Sequence, residues 1–295
     1  MAGVLTLTPN PLLDFVTSTE LQPGAVNRVP TLAAVAEGKG VNVARILAAH
    51  GHRVIAGGFA GGHPGAWLAE LVDALGVEAA FTPTAADLRV GFMAPIAGAP
   101  TPTTALADGF AVSAAEAARM RAQLRRHLAQ VQLVIVSGSV PDPSCEALLS
   151  GICADCADAG VPCWVDSYGP AMATALACEM PPALAKPNRQ EYDGIGGWDR
   201  VDELHLTDGA APVAVRDAYG SWRVLPPAVA QINPVGSGDA YIAGLAHGQL
   251  VGMDHHARLR YAGAAGAANA ARADVCAMPP EAIAELADAV RIDVA

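Results

Sequence analysis

The sequence predicts an α/β protein with a Rossmann-like, doubly wound and mostly parallel sheet, helices on both sheet faces, and a small β-sheet lid. From residue 113 onwards, apolar stretches of strand length alternate with stretches of helical periodicity. That alternation is typical of crossover connections between parallel strands. Two stretches, 11–36 and 86–108, interrupt it with short β-rich pieces, which predicts a second, smaller sheet.

The first third of the chain places glycine-rich turns between strands and helices. The run VLTLTPNP at residues 4–11 predicts a short strand that stops at Pro-Asn-Pro. In residues 37–52, glycines precede apolar positions at helical spacing, and Gly51 ends the helix. A strand at 53–62 runs into another glycine turn, and the amphipathic helix after it ends at Gly76. Ligands of such sheets bind beyond the carboxyl ends of the strands, where these turns fall.

The remaining two thirds are more regular. Predicted helices span 113–131, 143–160, 171–178, 239–252, 257–273 and 280–292. Predicted strands span 133–139, 162–167, 182–188 and 212–220. We therefore predict one α/β core made of residues 1–10, 37–85 and 109–295, and a lid made of residues 11–36 and 86–108 that covers a site in the core.

Composition excludes several classes of protein. Hydrophobic residues make up 52% of the 295 residues and charged residues 16%, so a large core is expected and disorder is not. The formal net charge of −11, without a basic cluster beyond Arg125-Arg126, argues against a nucleic-acid partner. The first ten residues have no basic segment and no long apolar stretch. We therefore expect neither a signal peptide nor a membrane anchor, and a cytoplasmic location.

The chain has six cysteines, and Cys153 and Cys156 form a CxxC. No second CxxC or histidine pair follows, and the surrounding residues predict a helix. We interpret the cysteines as reduced structural thiols in a reducing compartment. A zinc or redox role for Cys153 and Cys156 is the alternative.

The most informative motif is NPVGSGDA at residues 233–240, followed by an apolar helix. Gly236 and Gly238 let the backbone approach a ligand closely, and a helix start offers unpaired amides and partial positive charge. That combination binds phosphate. Asp239 would be repelled by a phosphate unless it accepts a proton from an attacking hydroxyl, which is what phosphoryl transfer requires. An ordinary capped turn is the alternative.

Two further motifs indicate a polar ligand. Lys39 lies between Gly38 and Gly40 before a helix and suits an anion or a polyhydroxyl compound, although no complete Walker A motif occurs. The alternative is a solvent-exposed lysine in a turn. Asp14 ends a strand that is predicted to be buried, where an unpaired carboxylate is costly unless ligand hydroxyls bind it. A turn-forming aspartate is the alternative there.

Asn188 and Glu191 stand three residues apart at a predicted helix start. This spacing lets both reach one hydrated Mg²⁺, which prefers one or two protein oxygens and several waters. A capping box, with Asn188 as the N-cap residue and Glu191 at the third helical position, has the same spacing.

In this order, the motifs resemble the PfkB family of carbohydrate kinases over nearly the whole chain. The resemblance rests on TLTPNPLLD, GKGVNVARILAAHG, GFAGGHPG, VSGSVP, VDSYGPAM, AKPNRQE and INPVGSGDAYIAG. TPNPLLD is most similar to the hexose-phosphate branch, which contains 1-phosphofructokinase and tagatose-6-phosphate kinase. The resemblance implies a ribokinase-like fold, ATP as co-substrate, Mg²⁺, a sugar or sugar phosphate as acceptor, and a possible homodimer formed through the lid.

The resemblance also implies roles for individual residues. Asp239 corresponds to the general base, and the amides of Gly236, Ser237 and Gly238 to an anion hole. The positions that correspond to substrate contacts are Asp14, Gly38, Lys39, Asn42, Arg89 and Ser139, with Arg89 near a substrate phosphate. The positions that correspond to nucleotide contacts are Asn188, Asp217, Gly220, Gly238 and Asn269, and Asn188 and Glu191 correspond to water-mediated Mg²⁺ contacts.

Four departures from the family pattern leave the acceptor open, one of which is a short segment after KPNRQE. Glu37 replaces a glycine, and it would either pair with Lys39 or reject a phosphorylated sugar. Ala105 and Ala107 stand where the branch has an acidic residue and an asparagine, and Asp217 where the family has a glycine. The alternatives to a sugar-phosphate kinase are therefore a kinase of a non-phosphorylated sugar or nucleoside, and a non-catalytic sensor of sugar and nucleotide.

Overall fold

A computed structural model describes residues 3–98 and 102–295, and within these ranges it contains fourteen strands and nine α-helices. The strands are β1 (Gly3–Thr8), β2 (Leu12–Val16), β3 (Ala33–Glu37), β4 (Arg53–Phe59), β5 (Glu78–Thr82), β6 (Val90–Ala94), β7 (Thr103–Leu106), β8 (Leu133–Ser137), β9 (Cys163–Asp166), β10 (Leu184–Ala185), β11 (Glu203–Leu206), β12 (Val213–Asp217), β13 (Gly220–Leu225) and β14 (Arg291–Val294). The α-helices are α1 (Lys39–Ala49), α2 (Gly62–Asp73), α3 (Ala114–Leu128), α4 (Leu148–Asp158), α5 (Gly169–Ala177), α6 (Arg189–Gly194), α7 (Ser237–Val251), α8 (His255–Ala270) and α9 (Pro280–Ala287).

The large sheet has ten strands in the order β14-β13-β12-β11-β10-β9-β8-β1-β4-β5. From β11 to β5 all neighbours are parallel, and β12, β13 and β14 join antiparallel at one edge. Central strands such as β8 are buried on both faces, because crossover helices cover each side of a parallel sheet. The predicted α/β fold class is confirmed.

The small sheet has four strands in the order β3-β2-β6-β7. β2 and β6 are parallel, and the two outer pairs are antiparallel. Its strands come from the two β-rich stretches that the alternation excludes, with Glu37 added at the end of β3. The predicted boundaries between core and lid stay predictions, and residues 1–2 and 99–101 of those ranges lie outside the described residues.

Alanine and glycine let the C-terminal helices pack closely. A Cβ on Gly244 in α7 would lie 2.9 Å from the Cα atom of Ala262 in α8. Close approach of these backbones therefore needs the small residues that both helices contain. In the part of the chain that the structure describes, no helix is both long and apolar enough to span a bilayer.

The predicted elements differ from the structure mainly at the antiparallel edge of the large sheet. β5, β11 and β13 were not predicted, and the predicted helix at 280–292 ends at Ala287 because 291–294 pairs with β13 as β14. β13 and β14 are largely exposed, so they lack the continuous apolar runs of the parallel strands. The predicted helix at 143–160 is divided into a 3₁₀ turn and α4.

Candidate active site

A cavity of about 480 Å³ lies at the carboxyl ends of the parallel strands. Thr8, Asp166 and Thr207, which end or follow β1, β9 and β11, form its base. The small sheet contributes Asp14 and Leu106 among other residues. The cavity therefore lies where a parallel α/β sheet binds its ligands, with the small sheet on its other side.

The N-terminus of α7 faces this cavity. Gly236 is the N-cap residue with φ 81°, and a Cβ there would lie 2.6 Å from Val275 Cγ1 and 2.9 Å from Cys276 Sγ, so only glycine fits. No side chain caps the helix, and in the described chain no bond outside the helix engages the amides of Gly236 and Gly238. Open amides at the positive end of a helix form a site for an anion.

Ser237 and Asn269 lie behind this turn and not on the cavity wall. The Ser237 amide donates to the Pro234 carbonyl oxygen at 3.1 Å, which closes a turn and removes the third predicted anion-hole donor. The fully buried Asn269 donates to the Val235 carbonyl oxygen at 2.7 Å and accepts from the Cys276 amide at 2.8 Å. Asn269 thus supports the turn, which corrects its predicted place in direct contact with the nucleotide.

Asp239, in the first turn of α7, is 6% exposed and lines the cavity. Its Oδ2 atom accepts a hydrogen bond from Asn42 Nδ2 at 2.9 Å. Burial and the charge of Asp166 raise the pKa of Asp239 to about 6, against the opposing effects of Lys39, Asn42 and Lys186. A carboxylate with this pKa is ionised at neutral pH and is a stronger base than an exposed aspartate, as general-base catalysis requires.

The chain has two lysines, and both lie in the cavity. Lys39 Nζ is 3.3 Å and Lys186 Nζ 3.2 Å from the two carboxylate oxygens of Asp166, which is fully buried at the end of β9. Burial alone would raise the pKa of Asp166, but the two ammonium groups lower it below its ordinary value. A Cβ on Gly238 would lie only 3.0 Å from Lys186 Nζ, so one positive charge adjoins the open amides of α7.

Asp166 and Lys186 are site residues that the sequence analysis missed. In the structure Asp166 ends β9 and Lys186 follows β10, and a polar residue at the carboxyl end of a strand is the same kind of signal that singled out Asp14 in the sequence. Lys186 is also one of two lysines in a chain of net charge −11, and this scarcity of cations was a second signal that it binds an anion.

Asp14 and Asn10 line the cavity, and each has a buried side-chain oxygen without a hydrogen-bond partner among the described residues. Asp14 is 4% exposed, and the two oxygens are its Oδ1 atom and the Oδ1 atom of Asn10. The amide of Asn10 donates to Ser139 Oγ at 3.1 Å. Buried polar atoms are rarely left unpaired, so these oxygens indicate a ligand that donates hydrogen bonds, as sugar hydroxyls do.

Arg89 lines the cavity at the base of the small sheet. Its guanidinium donates to the carbonyl oxygens of Asn10 at 2.9 Å and Pro11 at 3.2 Å. These bonds use two of the five N–H groups, and no other described residue accepts a hydrogen bond from the remaining three, which are available to bind an anion. Burial lowers the pKa of Arg89 from its ordinary value.

Glu37 pairs with Arg45 and not with Lys39, which corrects one of its predicted roles. Its Oε1 atom lies 4.0 Å from Arg45 NH1, whereas Lys39 is held by Asp166 and, at 3.4 Å, by Glu191. The Glu37 side chain is 15% exposed and lines the cavity. Burial raises its pKa to about 7, because the single distant guanidinium offsets desolvation only in part.

Replacing Glu37 by glutamine is expected to stabilise the fold at pH 8 and to have little effect at pH 5. A raised folded-state pKa means that folding disfavours the ionised form, so stability is lost as pH rises from 4.5 to about 7. Removing the charge is therefore expected to raise the free energy of unfolding by up to about 3 kcal/mol above pH 7. Thermal unfolding at both pH values measures this, with the exposed Glu78→Gln as control. A gain that does not depend on pH would contradict the explanation.

Asn188 and Glu191 form a capping box at the start of α6. Asn188 Oδ1 accepts from the Glu191 amide, and Glu191 Oε2 accepts from the Asn188 amide, each at 2.8 Å. Both also line the cavity. The capping alternative is therefore observed, and the remaining lone pairs of these oxygens fit contacts to a hydrated Mg²⁺ through water. In the described ranges, no three His, Cys, Asp or Glu side chains come together as metal ligands.

Asp217 and Gly220 lie at the amino ends of the parallel strands, whereas the cavity lies at their carboxyl ends. β12 is antiparallel to β11, so Arg216 pairs with Leu204 near the amino end of β11, and Asp217 follows it there. The Asp217 carboxylate binds His255 Nε2 at 2.6 Å, at the start of α8. The structure therefore places these two predicted nucleotide positions outside the cavity lining, because the sequence analysis did not anticipate an antiparallel strand.

The six cysteines are free thiols, and five of them are buried. Cys153 and Cys156 lie on the buried face of α4, as a structural role predicts. The nearest sulfur contact joins Cys153 to Cys163 in the core, with 3.9 Å between the Sγ atoms. These positions support the interpretation of the cysteines as structural thiols.

Comparison with known proteins agrees with this geometry. The profile described as "pfkB family carbohydrate kinase" matches residues 9–282. A candidate phosphofructokinase from Staphylococcus aureus has 25% identity and a TM-score of 0.83, with 99% of each chain covered. A candidate 1-phosphofructokinase from Thermotoga maritima has 21% identity and a TM-score of 0.87, with 99% of each chain covered. Phosphofructokinase-2 from Escherichia coli in complex with fructose-6-phosphate has 22% identity and a TM-score of 0.83, with 98% of this chain and 99% of that one covered.

Proposed function

Since the chain belongs to the pfkB family of carbohydrate kinases, we propose that it transfers the γ-phosphate of ATP to a hydroxyl group of a ketohexose phosphate, with Asp239 as general base. One observation carries the proposal. A buried carboxylate with a pKa of about 6 adjoins the open amides of Gly236 and Gly238 and the ammonium group of Lys186. A proton acceptor for the nucleophile and donors for the migrating phosphoryl group are thereby within one cavity.

The proposed reaction assigns a step to each group. The acceptor hydroxyl attacks the γ-phosphorus atom, its proton passes to the Asp239 carboxylate, and the bond to the β,γ-bridging oxygen of ATP breaks to release ADP. The amides of Gly236 and Gly238 and the ammonium group of Lys186 stabilise the negative charge on the oxygens of the transferring phosphoryl group. Lys39 and Lys186 are held by Asp166 before substrate arrives, so little reorganisation is needed during the reaction.

Asn188 and Glu191 are the residues that we propose to hold a hydrated Mg²⁺. Bound with the nucleotide, Mg²⁺ would neutralise charge on the phosphate oxygens. The two side chains hold each other in place through the capping box, so their free lone pairs keep a fixed direction. Lys39 contacts both Glu191 and Asp166, so it links the proposed Mg²⁺ site to the buried carboxylate at the end of β9.

We propose that the acceptor lies between Asp14 and Asp239. The unpartnered oxygens of Asp14 and Asn10 accept hydrogen bonds from sugar hydroxyls, and Ser139 and Asn42 complete a polar wall. The free N–H groups of Arg89 then bind the phosphate of a substrate of the fructose 1-phosphate or tagatose 6-phosphate type.

Replacing Arg89 by alanine is expected to raise KM for the phosphorylated acceptor about 10–100-fold and to leave KM for ATP nearly unchanged. The reason is that Arg89 precedes β6 of the small sheet and is bound to Asn10 and Pro11, whereas the proposed donors to the phosphoryl group belong to α7 and Lys186. Steady-state kinetics with each substrate varied in turn measure both constants. Arg119→Ala, on the exposed face of α3, is the control. Equal increases in both KM values would argue against a contact with the substrate phosphate.

The second candidate is a kinase of the same mechanism that acts on a non-phosphorylated sugar or nucleoside. Glu37 favours it, because this carboxylate lies in the cavity near Asp14 and repels an anionic acceptor when ionised. The third candidate, a non-catalytic sensor, loses one of its reasons, since Asp217 lies far from the cavity.

An acceptor panel with an ATP-consumption assay separates these candidates. Turnover on fructose 1-phosphate or tagatose 6-phosphate supports the proposal. Turnover only on ribose, fructose or a nucleoside supports the second candidate. Binding of sugar and ATP in a calorimeter, without turnover on any acceptor, supports the sensor.

A further inference from the structure

Arg45, on α1, has a side chain that the proposed reaction does not use, and its guanidinium contacts three segments around Asp239. Its side chain is 12% exposed. NH2 donates to the Ala36 carbonyl oxygen at 2.8 Å, and NH1 donates to the Val275 carbonyl oxygen and to Asn42 Oδ1, each at 3.1 Å. One guanidinium therefore joins β3, α1 and the loop that packs against Gly236.

The contact between Arg45 and Asn42 decides which end of the Asn42 carboxamide faces the base. A guanidinium can only donate, so Arg45 binds the carboxamide oxygen. The carboxamide nitrogen is then left to donate to Asp239 Oδ2 at 2.9 Å. The opposite rotation would set an oxygen against a carboxylate and an N–H₂ group against a guanidinium, and both contacts would be repulsive.

We propose that Arg45 is a positioning residue for phosphoryl transfer: it orients the Asn42 carboxamide so that the amide holds the Asp239 carboxylate in place for the acceptor hydroxyl. This inference rests on the proposed role of Asp239 as general base. The i, i+3 spacing of Asn42 and Arg45 places both on one face of α1, so the helix itself brings them together.

The hydrogen bond from Asn42 favours the ionised form of Asp239 and opposes the effect of burial on its pKa. The charged and titratable groups that face Asp239 are Asp166, Lys39, Lys186, Glu37 and Cys276. Those that face Arg45 are Glu37, Asp274 and Cys276. If Arg45 acts through Asn42, its removal raises the pKa of Asp239 only where Asn42 is present.

The test is the pH dependence of kcat at saturating ATP and acceptor for the wild type, Arg45→Met, Asn42→Ala and the double variant. The acid limb of this profile is the fall of kcat at low pH, where Asp239 becomes protonated. We expect each single variant to move the acid limb about one pH unit upward, because a base with a raised pKa needs a higher pH to ionise. Below the midpoint this corresponds to about tenfold lower kcat at a fixed pH. The double variant should match Asn42→Ala. Titration of the substrates is common to all variants and cancels in the comparison.

Two outcomes would overturn the inference: an unmoved limb in Arg45→Met, or an equal shift with and without Asn42, which would indicate a direct effect of charge. Arg45→Lys, which keeps the charge and one donor, is measured in the same two backgrounds. It should give a smaller shift only when Asn42 is present, and it replaces Arg45→Met if that variant does not fold. Arg53→Met, which removes a half-exposed guanidinium paired with Glu78, is the control and should leave the limb unmoved.

The variant Asp239→Asn separates this inference from the proposed function. If Asp239→Asn retains wild-type turnover, the general-base assignment fails whatever Arg45 does. If Asp239→Asn is inactive and the Arg45 variants keep the wild-type limb, only the role of Arg45 fails.

Discussion

Replacing Asp239 by asparagine is expected to lower kcat by about 10²–10⁴ and to leave the affinity for ATP within a few-fold of the wild type. Asparagine keeps the size and one acceptor of the side chain but cannot take the proton of the acceptor hydroxyl. Removing a buried negative charge also relieves repulsion of the nucleotide, so binding is not expected to weaken. Steady-state kinetics give kcat, and calorimetry with ATP gives the affinity.

The matched control is Asp217→Asn, which removes the charge of a buried carboxylate at the end of the strands opposite to the cavity. We expect this variant to keep kcat and KM for ATP within about twofold of the wild type, provided that it remains folded. Comparable losses in the two variants would show that a general effect of losing a buried carboxylate, and not base catalysis, explains the first result.

Replacing Lys186 by methionine is expected to lower kcat by about 10²–10³, the usual effect of removing one preorganised donor from a transition-state charge. Methionine preserves most of the volume of the stem but leaves Asp166 with Lys39 as its only cationic partner. The loss of positive charge next to Asp239 also raises the pKa of this base, so the deficit should be larger at pH 6 than at pH 8.

Kinetics at the two pH values test this expectation, with Arg119→Met as a control for loss of an exposed cation. Circular dichroism checks that Lys186→Met is folded, because removing one of the two cations that compensate the buried Asp166 is destabilising. A folded Lys186→Met protein with wild-type kcat would remove Lys186 from the proposed machinery and leave the amides of α7 and Lys39 to stabilise the phosphoryl group.

The parallel part of the fold was predictable because buried strands and crossover helices leave strong patterns in the sequence. The antiparallel edge was not, since β13 and β14 are largely exposed and lack a continuous apolar run. That omission also misplaced Asp217 and Gly220. A strand that returns antiparallel carries its final residues away from the site, whatever motif they resemble.

Within the site, residues tied to a local motif were predicted better than residues joined by tertiary contacts. Asp239 and its glycines follow from one turn and one helix start. The pairing of Lys39 with Asp166 and Glu191 joins residues more than 120 positions apart, so nothing local predicts it over a pair with Glu37. The Ser237 amide was predicted to bind an anion, but it donates to the carbonyl oxygen of Pro234 in a turn that the motif alone does not reveal.

The most direct test of phosphoryl transfer is ³¹P nuclear magnetic resonance of the protein with ATP and Mg²⁺, taken in turn with fructose 1-phosphate, tagatose 6-phosphate and the unphosphorylated sugars and nucleosides. With at least one acceptor, the γ-phosphate signal of ATP should decline as a new phosphomonoester signal on the acceptor rises in equal amount. Asp239→Asn should slow both changes together. Release of the γ-phosphate only as inorganic phosphate, or no change with any acceptor, would contradict the account.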